Sequence, residues 1–543
     1  MKKHIITLFL IIPFLASCFK DKGNYDYYDH GTISIGGIPK TLELLQTLEN
    51  ITFSPTVTSS TEGKIMEGNP NYTFLYRLGY KGQGFMDATD YDNPKVWLEL
   101  NPDGNLAIDV PADFDPRMYI CWFTVTDNRT GVYESAFCDI KIANQTFEGW
   151  MVLCNEGPEE RLRLDMISVL STARAIPCYD LWGGDDAMPN IHHATCIGFY
   201  SLNAFAGDKI YLMSKERSYA LDNATLKTNE SLEFNINFFS LVNMPNETLI
   251  YFAPFSVIGD DQYGYTGAGL AVSENGNAYA DRKGLGMNLV YQKPINTPVA
   301  GGTPLYRVAP AVGVSMVRPA NGQTALLYDI DNKRFVGWAM TSTQTLTPLT
   351  DPALGKLFSF QTGKDFVYME STRRSNGLVY TILQDGGGKR SIYAINMGGN
   401  GFVQEAIYEN PNAPGLDQAE HFAFHSQYPL MFYSVGNTVY AYNLGTNSTK
   451  EMTDIALGAS EEITILKFNL FLMPDMSQFN NQSEEFMNWQ FQLIVGSYDN
   501  SVSGVNGGKV GFYEVEGSGT SVTKYSEYTG FAKVTDVLYR ERR

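Results

Sequence analysis

Short runs in which apolar and polar residues alternate dominate this chain, and segments with helical spacing are few and brief. The clearest run is Tyr119-Ile-Cys-Trp-Phe-Thr-Val-Thr-Asp127. There Tyr119, Cys121, Phe123 and Val125 share one face, the period of two that a half-buried strand requires. Thr32–Ile35, Tyr72–Tyr76, Val96–Leu100 and Asn105–Asp109 read as further strands, and Ser135–Ile142 as a return strand after a turn at Asn128–Gly131. Together they predict a small β-sandwich over 30–145. The best helix candidate, Lys40–Leu48, is one short segment within it.

From Phe147 onward the pattern repeats weakly as groups of short strands. Gly149–Cys154 opens the first unit; Lys209–Met213 with Tyr219–Asp222 marks the second, and Thr248–Phe252 with Leu270–Tyr279 the third. Ala325–Asp329 with Arg334–Trp338 forms a fourth, and Asp365–Met369, Leu378–Leu383 and Ser391–Asn396 a fifth. Pro429–Ser434 and Thr438–Asn443 join through Gly436-Asn437 as a sixth; Phe491–Gly496 with Lys509–Val515 forms a seventh. The spacing is about 57 residues per unit, which suits propeller blades with extra loops. A four-stranded blade cannot bury both faces alone, so blades stacked in a ring would supply the core and hide the edges. The last strand, Val534–Tyr539, is placed to complete the first blade. The expected fold is therefore all-β: a β-sandwich followed by a β-propeller of seven blades over 146–543. A stacked sandwich or an irregular β-solenoid is the alternative.

Composition narrows the class. The 543 residues include 33 Tyr, 32 Phe and 50 Gly, and the formal charge is −19. Such acidity argues against nucleic acid as a partner, because phosphate binding needs a basic footprint. It equally argues against an electrostatic grip on anionic headgroups. Five cysteines follow Cys18, namely Cys121, Cys138, Cys154, Cys178 and Cys196. An odd number with no CxxC pairing is neither a disulfide framework nor a zinc site, so most read as small buried apolar residues. Cys121 and Cys138, on neighbouring strands, admit one bridge.

The N-terminus reads as an export signal over 1–17. Lys2, Lys3 and His4 precede an apolar run from Ile5 to Leu15 that is too short to span a bilayer. Leu15-Ala16-Ser17-Cys18 resembles a bacterial lipobox, which implies cleavage before Cys18 and its lipidation, with 18–29 as a tether. Two or three acyl chains make a stable anchor, each buried methylene contributing about 0.8 kcal/mol.

Further residues carry a resemblance to a known family. The strand ending Val125-Thr126-Asp127 resembles a PKD-type domain, and the Tyr119-x-Cys121 spacing resembles the tyrosine corner of immunoglobulin-like domains. Asp21-Lys-Gly-Asn-Tyr-Asp-Tyr27, and Gly149-Trp-Met-Val-Leu153 followed by Leu164-Asp-Met-Ile167, resemble the PKD-like lipoproteins of Bacteroidota. That resemblance implies a surface-exposed accessory subunit of a SusC/SusD-type (RagA/RagB-like) importer. Its partners would be a SusC-type TonB-dependent barrel and a SusD-type lipoprotein in the outer membrane, and its cargo oligopeptide or glycan. Asp21, Asp26 and Asp29 resemble a surface-export signal, diluted by Lys20 and Lys22.

Candidate chemistry is sparse, and no enzyme is expected. GxSxG, HExxH and Walker motifs are absent from the sequence. Glu420-His421-x-x-x-His425 has zinc-like spacing only on a helix; on a strand the two histidines lie about 13 Å apart. His192-His193 reads as a surface pair. Asp185-Asp186, Asp260-Asp261 and Asp329-x-Asp331-Asn332 are oxygen-rich turns that lack a full calcium loop, so no cofactor or metal is expected, with a structural calcium the one weighed exception. Carboxylates in a propeller funnel acting on a glycan remain the runner-up function, and a free-standing adhesin a third. For binding, Tyr and Trp offer flat apolar faces with a polar edge. Trp182, Tyr263 and Tyr265, in loops expected to be exposed, are the candidate ligand-binding residues.

Overall fold

The computed structural model describes residues 31–80, 98–183, 185, 188–200, 209–233, 247–254, 269–281, 293–298, 302–314, 324–339, 345–398, 401–471 and 484–540. It separates into two compact units, one ending at Asn144 and the other beginning at Gln145. Among the described residues no helix is long and apolar enough to cross a membrane.

The first unit is a β-sandwich. Its larger sheet has five strands in the order Thr41–Leu45, Tyr133–Ala143, Arg117–Asp127, Tyr72–Tyr80 and Leu98–Glu99. Facing strands come from a three-stranded sheet (Ile33–Gly36, Thr56–Ser59, Gly63–Ile65) and a pair (Asn50–Phe53, Ile108–Pro111). The alternation along Arg117–Asp127 is borne out: Tyr119, Cys121, Phe123 and Val125 all point into one core with Tyr76, Phe74 and Ile140. The Tyr119 hydroxyl donates to the Asp115 carbonyl at 2.8 Å, the bond a tyrosine corner makes. Cys121 and Cys138 stand directly opposite each other in the ladder, yet both thiols are free and buried. The expected helix at Lys40–Leu48 is instead the strand Thr41–Leu45. It pairs in parallel with Asp139–Ala143, where ladder bonds and burial of Leu44 outweigh the helical preference of its leucines.

The second unit contains seven antiparallel sheets, three or four strands each among the described residues. Their innermost strands are, in blade order, Lys533–Arg540, Ala194–Tyr200, Leu249–Pro254, Gly313–Val314, Asp365–Ser371, Phe422–Phe424 and Glu461–Lys467. Each touches the next, and the seventh touches the first, so the blades form a ring. The C-terminal strand is the innermost strand of blade one, paired with Gly149–Glu156 from the start of the unit. Gly149 begins that partner strand at φ 144°, where a Cβ would lie 2.1 Å from the Ile167 carbonyl oxygen. No other residue fits so close an approach.

Stacking supplies the core. Six apolar clusters are each drawn from two neighbouring blades, and at the junction of blades two and three Phe252 packs edge-on against Tyr211. Between blades one and seven, Tyr539 lies against Trp150, Phe471 and Phe486, and its hydroxyl donates to Glu148 at 2.9 Å. Tyr539→Ala should therefore cost about 3 kcal/mol or more in a denaturant melt, through the cavity and the lost bond. Val403→Ala, on the exposed outermost strand of blade five, should stay within about 0.5 kcal/mol.

Candidate functional site

Seven innermost strands converge on a central channel of about 660 Å³, to which every blade contributes. Alternate side chains of an inner strand pack toward opposite neighbouring blades, as Met369 toward blade four and Tyr368 toward blade six, and polar groups among them line the channel. The channel thus collects Glu370, Tyr368, Tyr251, Lys467, Asp536 and His421 from five different blades.

These groups bond across the junctions. Asp536 of blade one accepts the Lys467 ammonium of blade seven at 2.6 Å, and its other oxygen accepts the Ile197 N–H of blade two at 2.9 Å. The Cys196 thiol reaches the Ile250 carbonyl of blade three at 3.6 Å, and Val312 of blade four lines the channel with Tyr251. The Val314 N–H donates to Ser371 Oγ of blade five at 2.8 Å. Glu370 Oε2 accepts the Phe424 N–H of blade six at 2.6 Å and the Tyr368 hydroxyl at 3.2 Å. Five of the seven junctions are crossed by these bonds. In addition, Arg373, just after the inner strand of blade five, donates to Gln490 Oε1 and the Phe471 carbonyl.

Enclosure by protein shifts several of these groups. Glu370 is half-buried, with some surface on the channel, and desolvation pushes its carboxyl up to about 8 against the Phe424 and Tyr368 bonds that favour the charged form. Burial likewise pushes the Cys196 thiol up to about 12, raises the Tyr251 and Tyr368 phenols, and lowers His421. At neutral pH Glu370 is thus mostly a carboxylic acid, able to donate as well as accept.

The sequence-derived candidates fall elsewhere. Trp182 is a correction: it is 6% exposed, packed with Leu164, Ile191 and Leu226, and its indole N–H donates to the Leu226 carbonyl at 2.8 Å. Its ring is core, because that carbonyl satisfies the polar edge expected to meet a ligand. Its neighbour Tyr179 is exposed, but its hydroxyl donates to the Thr529 carbonyl at 2.6 Å. Tyr263, Tyr265 and Cys18 lie outside the described residues, as does the Asp260-Asp261 turn.

His421 and His425 flank the strand Phe422–Phe424. Burial lowers the His425 imidazole to about 4, and its Nδ1 accepts the Gln427 and Tyr428 N–H groups at 3.0 and 3.1 Å. His192 and His193 turn to separate carboxylates, Glu216 at 3.2 Å and Glu160 at 2.7 Å. Asp329 is fully buried and bonds Arg334 and Asn332, while Asp331 holds Arg307. Among the described residues no group of three or more His, Cys, Asp or Glu is arranged to hold a metal ion. Sequence reading missed Glu370, Lys467 and Asp536. Each lies on a strand that carries further charged residues, so its charge alone gave no signal.

Residues 18–173 match the sequence model of the PKD-like family, a stretch that covers the sandwich and the first two strands of blade one. None of the curated proteins matches the chain significantly. Solved structures with a similar fold include a quinoprotein alcohol dehydrogenase-like protein from Bacteroides thetaiotaomicron, 12% identical, covering 94% of this chain and 99% of that one at a TM-score of 0.38. Sqt1 of Saccharomyces cerevisiae is 9% identical over 72% of this chain and 88% of its own, at a TM-score of 0.34. The propeller assignment stands on the strand pairings themselves.

Glu370 makes stability pH-dependent in a defined direction. Folded Glu370 keeps its proton up to about 8, whereas an unfolded glutamate loses it near 4.5, so the folded state binds more protons in between. Its contribution is therefore full below pH 4.5 and is lost as pH rises through 8. Urea melts should show Glu370→Gln gaining on the order of 1 kcal/mol over the parent at pH 9 and almost nothing at pH 4.

Proposed function

We propose that this chain is a non-catalytic subunit of a cell-surface assembly: a lipoprotein anchored through Cys18, carrying its sandwich and then a propeller that serves as a rigid binding and docking platform. The observation that carries this reading is the engagement of the channel's ionisable groups. Asp536, Lys467 and Glu370 are each committed to a neighbouring blade, by an ion pair or a backbone N–H. Residues that hold a ring together in this way are poorly free to move protons or attack a substrate, because leaving the bond exposes an unsatisfied buried partner.

The assembly we infer is a SusC/SusD-type outer-membrane importer, with a TonB-dependent barrel and its lid lipoprotein as partners and oligopeptide or glycan as cargo. Support comes from the PKD-like match over 18–173, together with the lipobox-like Leu15-Ala16-Ser17-Cys18. The charge balance favours the same picture: with a formal −19 the protein gains nothing from anionic headgroups, so lipid chains must hold it at the surface.

Purification of the tagged full-length protein in gentle detergent, followed by mass spectrometry, tests the assembly. A barrel and a lid lipoprotein should be recovered in stoichiometric amounts. Recovery of the protein alone would remove the subunit reading, and turnover of a polysaccharide pool that Glu370→Gln abolishes would replace it with the hydrolase. In the same cells Cys18→Ala should move the protein from the membrane fraction to the soluble one.

A further inference from the structure

A second cavity, of about 520 Å³, opens away from the channel between blades six and seven. One wall is the turn after the inner strand of blade six, with Gln427 and Tyr428. The facing wall is blade seven: the short helix Glu484–Asn488, the turn Trp489–Phe491, and the outer strands carrying Glu514 and Tyr525.

Its chemistry is one-sided. Glu484, Glu485 and Glu514 line it and are exposed, with no Lys or Arg among the lining residues. Among the described residues these three carboxylates enter no ion pair; Glu485 only accepts the Tyr525 hydroxyl at 3.0 Å. Tyr428, Trp489, Phe491 and Tyr525 supply aromatic surface beside them. Trp489 is 4% exposed, and its Nε1–H, although near the Tyr525 hydroxyl, has no acceptor in hydrogen-bond geometry. His425 cannot balance the acids, since it is neutral and already bonded through Nδ1.

We propose that this cavity binds an arginine- or lysine-bearing peptide segment, whose cationic head meets the three glutamates and the aromatic rings while a peptide carbonyl accepts the Trp489 N–H. Carboxylates beside aromatic faces favour a cation twice over, by charge and by the ring quadrupole. A planar guanidinium suits them best, because it can fork to a carboxylate and stack on a ring. The unmatched indole donor calls for an acceptor as well, which a cationic side chain lacks and a peptide backbone has. The cavity volume falls in the range of small-ligand sites.

The inference names a cargo class for the binding role proposed above, but its test needs no transporter. Failed peptide binding would leave the assembly reading intact, and failed co-purification would leave this one intact. Titration calorimetry on the full-length protein in detergent would use acetyl-Gly-Arg-Gly-amide, its neutral citrulline counterpart and glucosamine. The arginine peptide should bind saturably and weaken with added salt, with the citrulline peptide at least about tenfold weaker. Glu484→Gln with Glu514→Gln, both on the surface, should weaken the arginine peptide by about tenfold while leaving the melting temperature unchanged. No binding of the arginine peptide, equal binding of the citrulline peptide, or unchanged affinity in the double variant overturns the proposal. Tighter binding of glucosamine than of the peptide overturns it too, in favour of an amino sugar.

Discussion

The pairing of Lys533–Arg540 with Gly149–Glu156 joins the two ends of the propeller unit, and the other six blades depend on it for their arrangement. Without that strand, blade one would lack its innermost member and blades two and seven would each lose a neighbour. Closing a loop of this length costs on the order of 5 kcal/mol in chain entropy. Two contributions offset it: the ladder bonds of the strand, and the aromatic cluster that Tyr539 forms with Trp150, Phe471 and Phe486. The same strand delivers Asp536 to the channel, where it ties blade seven to blade two, and Arg540, whose buried guanidinium donates to the Thr146 and Asn223 carbonyls. One eight-residue segment thus closes the fold and supplies the carboxylate that links blades seven, one and two at the channel.

That economy bears on function. Where several ionisable residues meet in an enclosed space, perturbed pKa values suggest catalysis, but structural networks perturb them as well. Here Glu370, raised to about 8, is held by the Phe424 N–H of the next blade, and the Lys467 ammonium is held by Asp536. The ring's charges are used for cohesion. The cavity between blades six and seven is the opposite case: its carboxylates are exposed, unpaired with cations and set beside aromatic surface, so its charge is available to a ligand.

Much of the fold was legible because the signals were local. Alternation along Arg117–Asp127, the Gly436-Asn437 hairpin and the final apolar strand each depend on neighbours in sequence, and each appears where expected. Features set by distant partners were not legible. Thr41–Leu45 carries leucines that suit a helix, and only its parallel partner some hundred residues later makes it a strand. Trp182 sits beside two glycines and two aspartates, which reads as an exposed loop, yet its indole finds the Leu226 carbonyl 44 residues away. The channel combines residues from seven separated segments, so no spacing rule could have grouped Glu370 with Lys467 and Asp536.

The most direct test of this account is hydrogen exchange, read by mass spectrometry, on the full-length protein and on one lacking residues 533–543. The account predicts that deletion strips protection from Gly149–Glu156 and Ala194–Tyr200, and from the inner strand of blade seven, while Arg117–Asp127 in the sandwich stays protected. Undiminished protection of Gly149–Glu156 in the shortened protein would contradict it, because the ring would then hold without its closing strand.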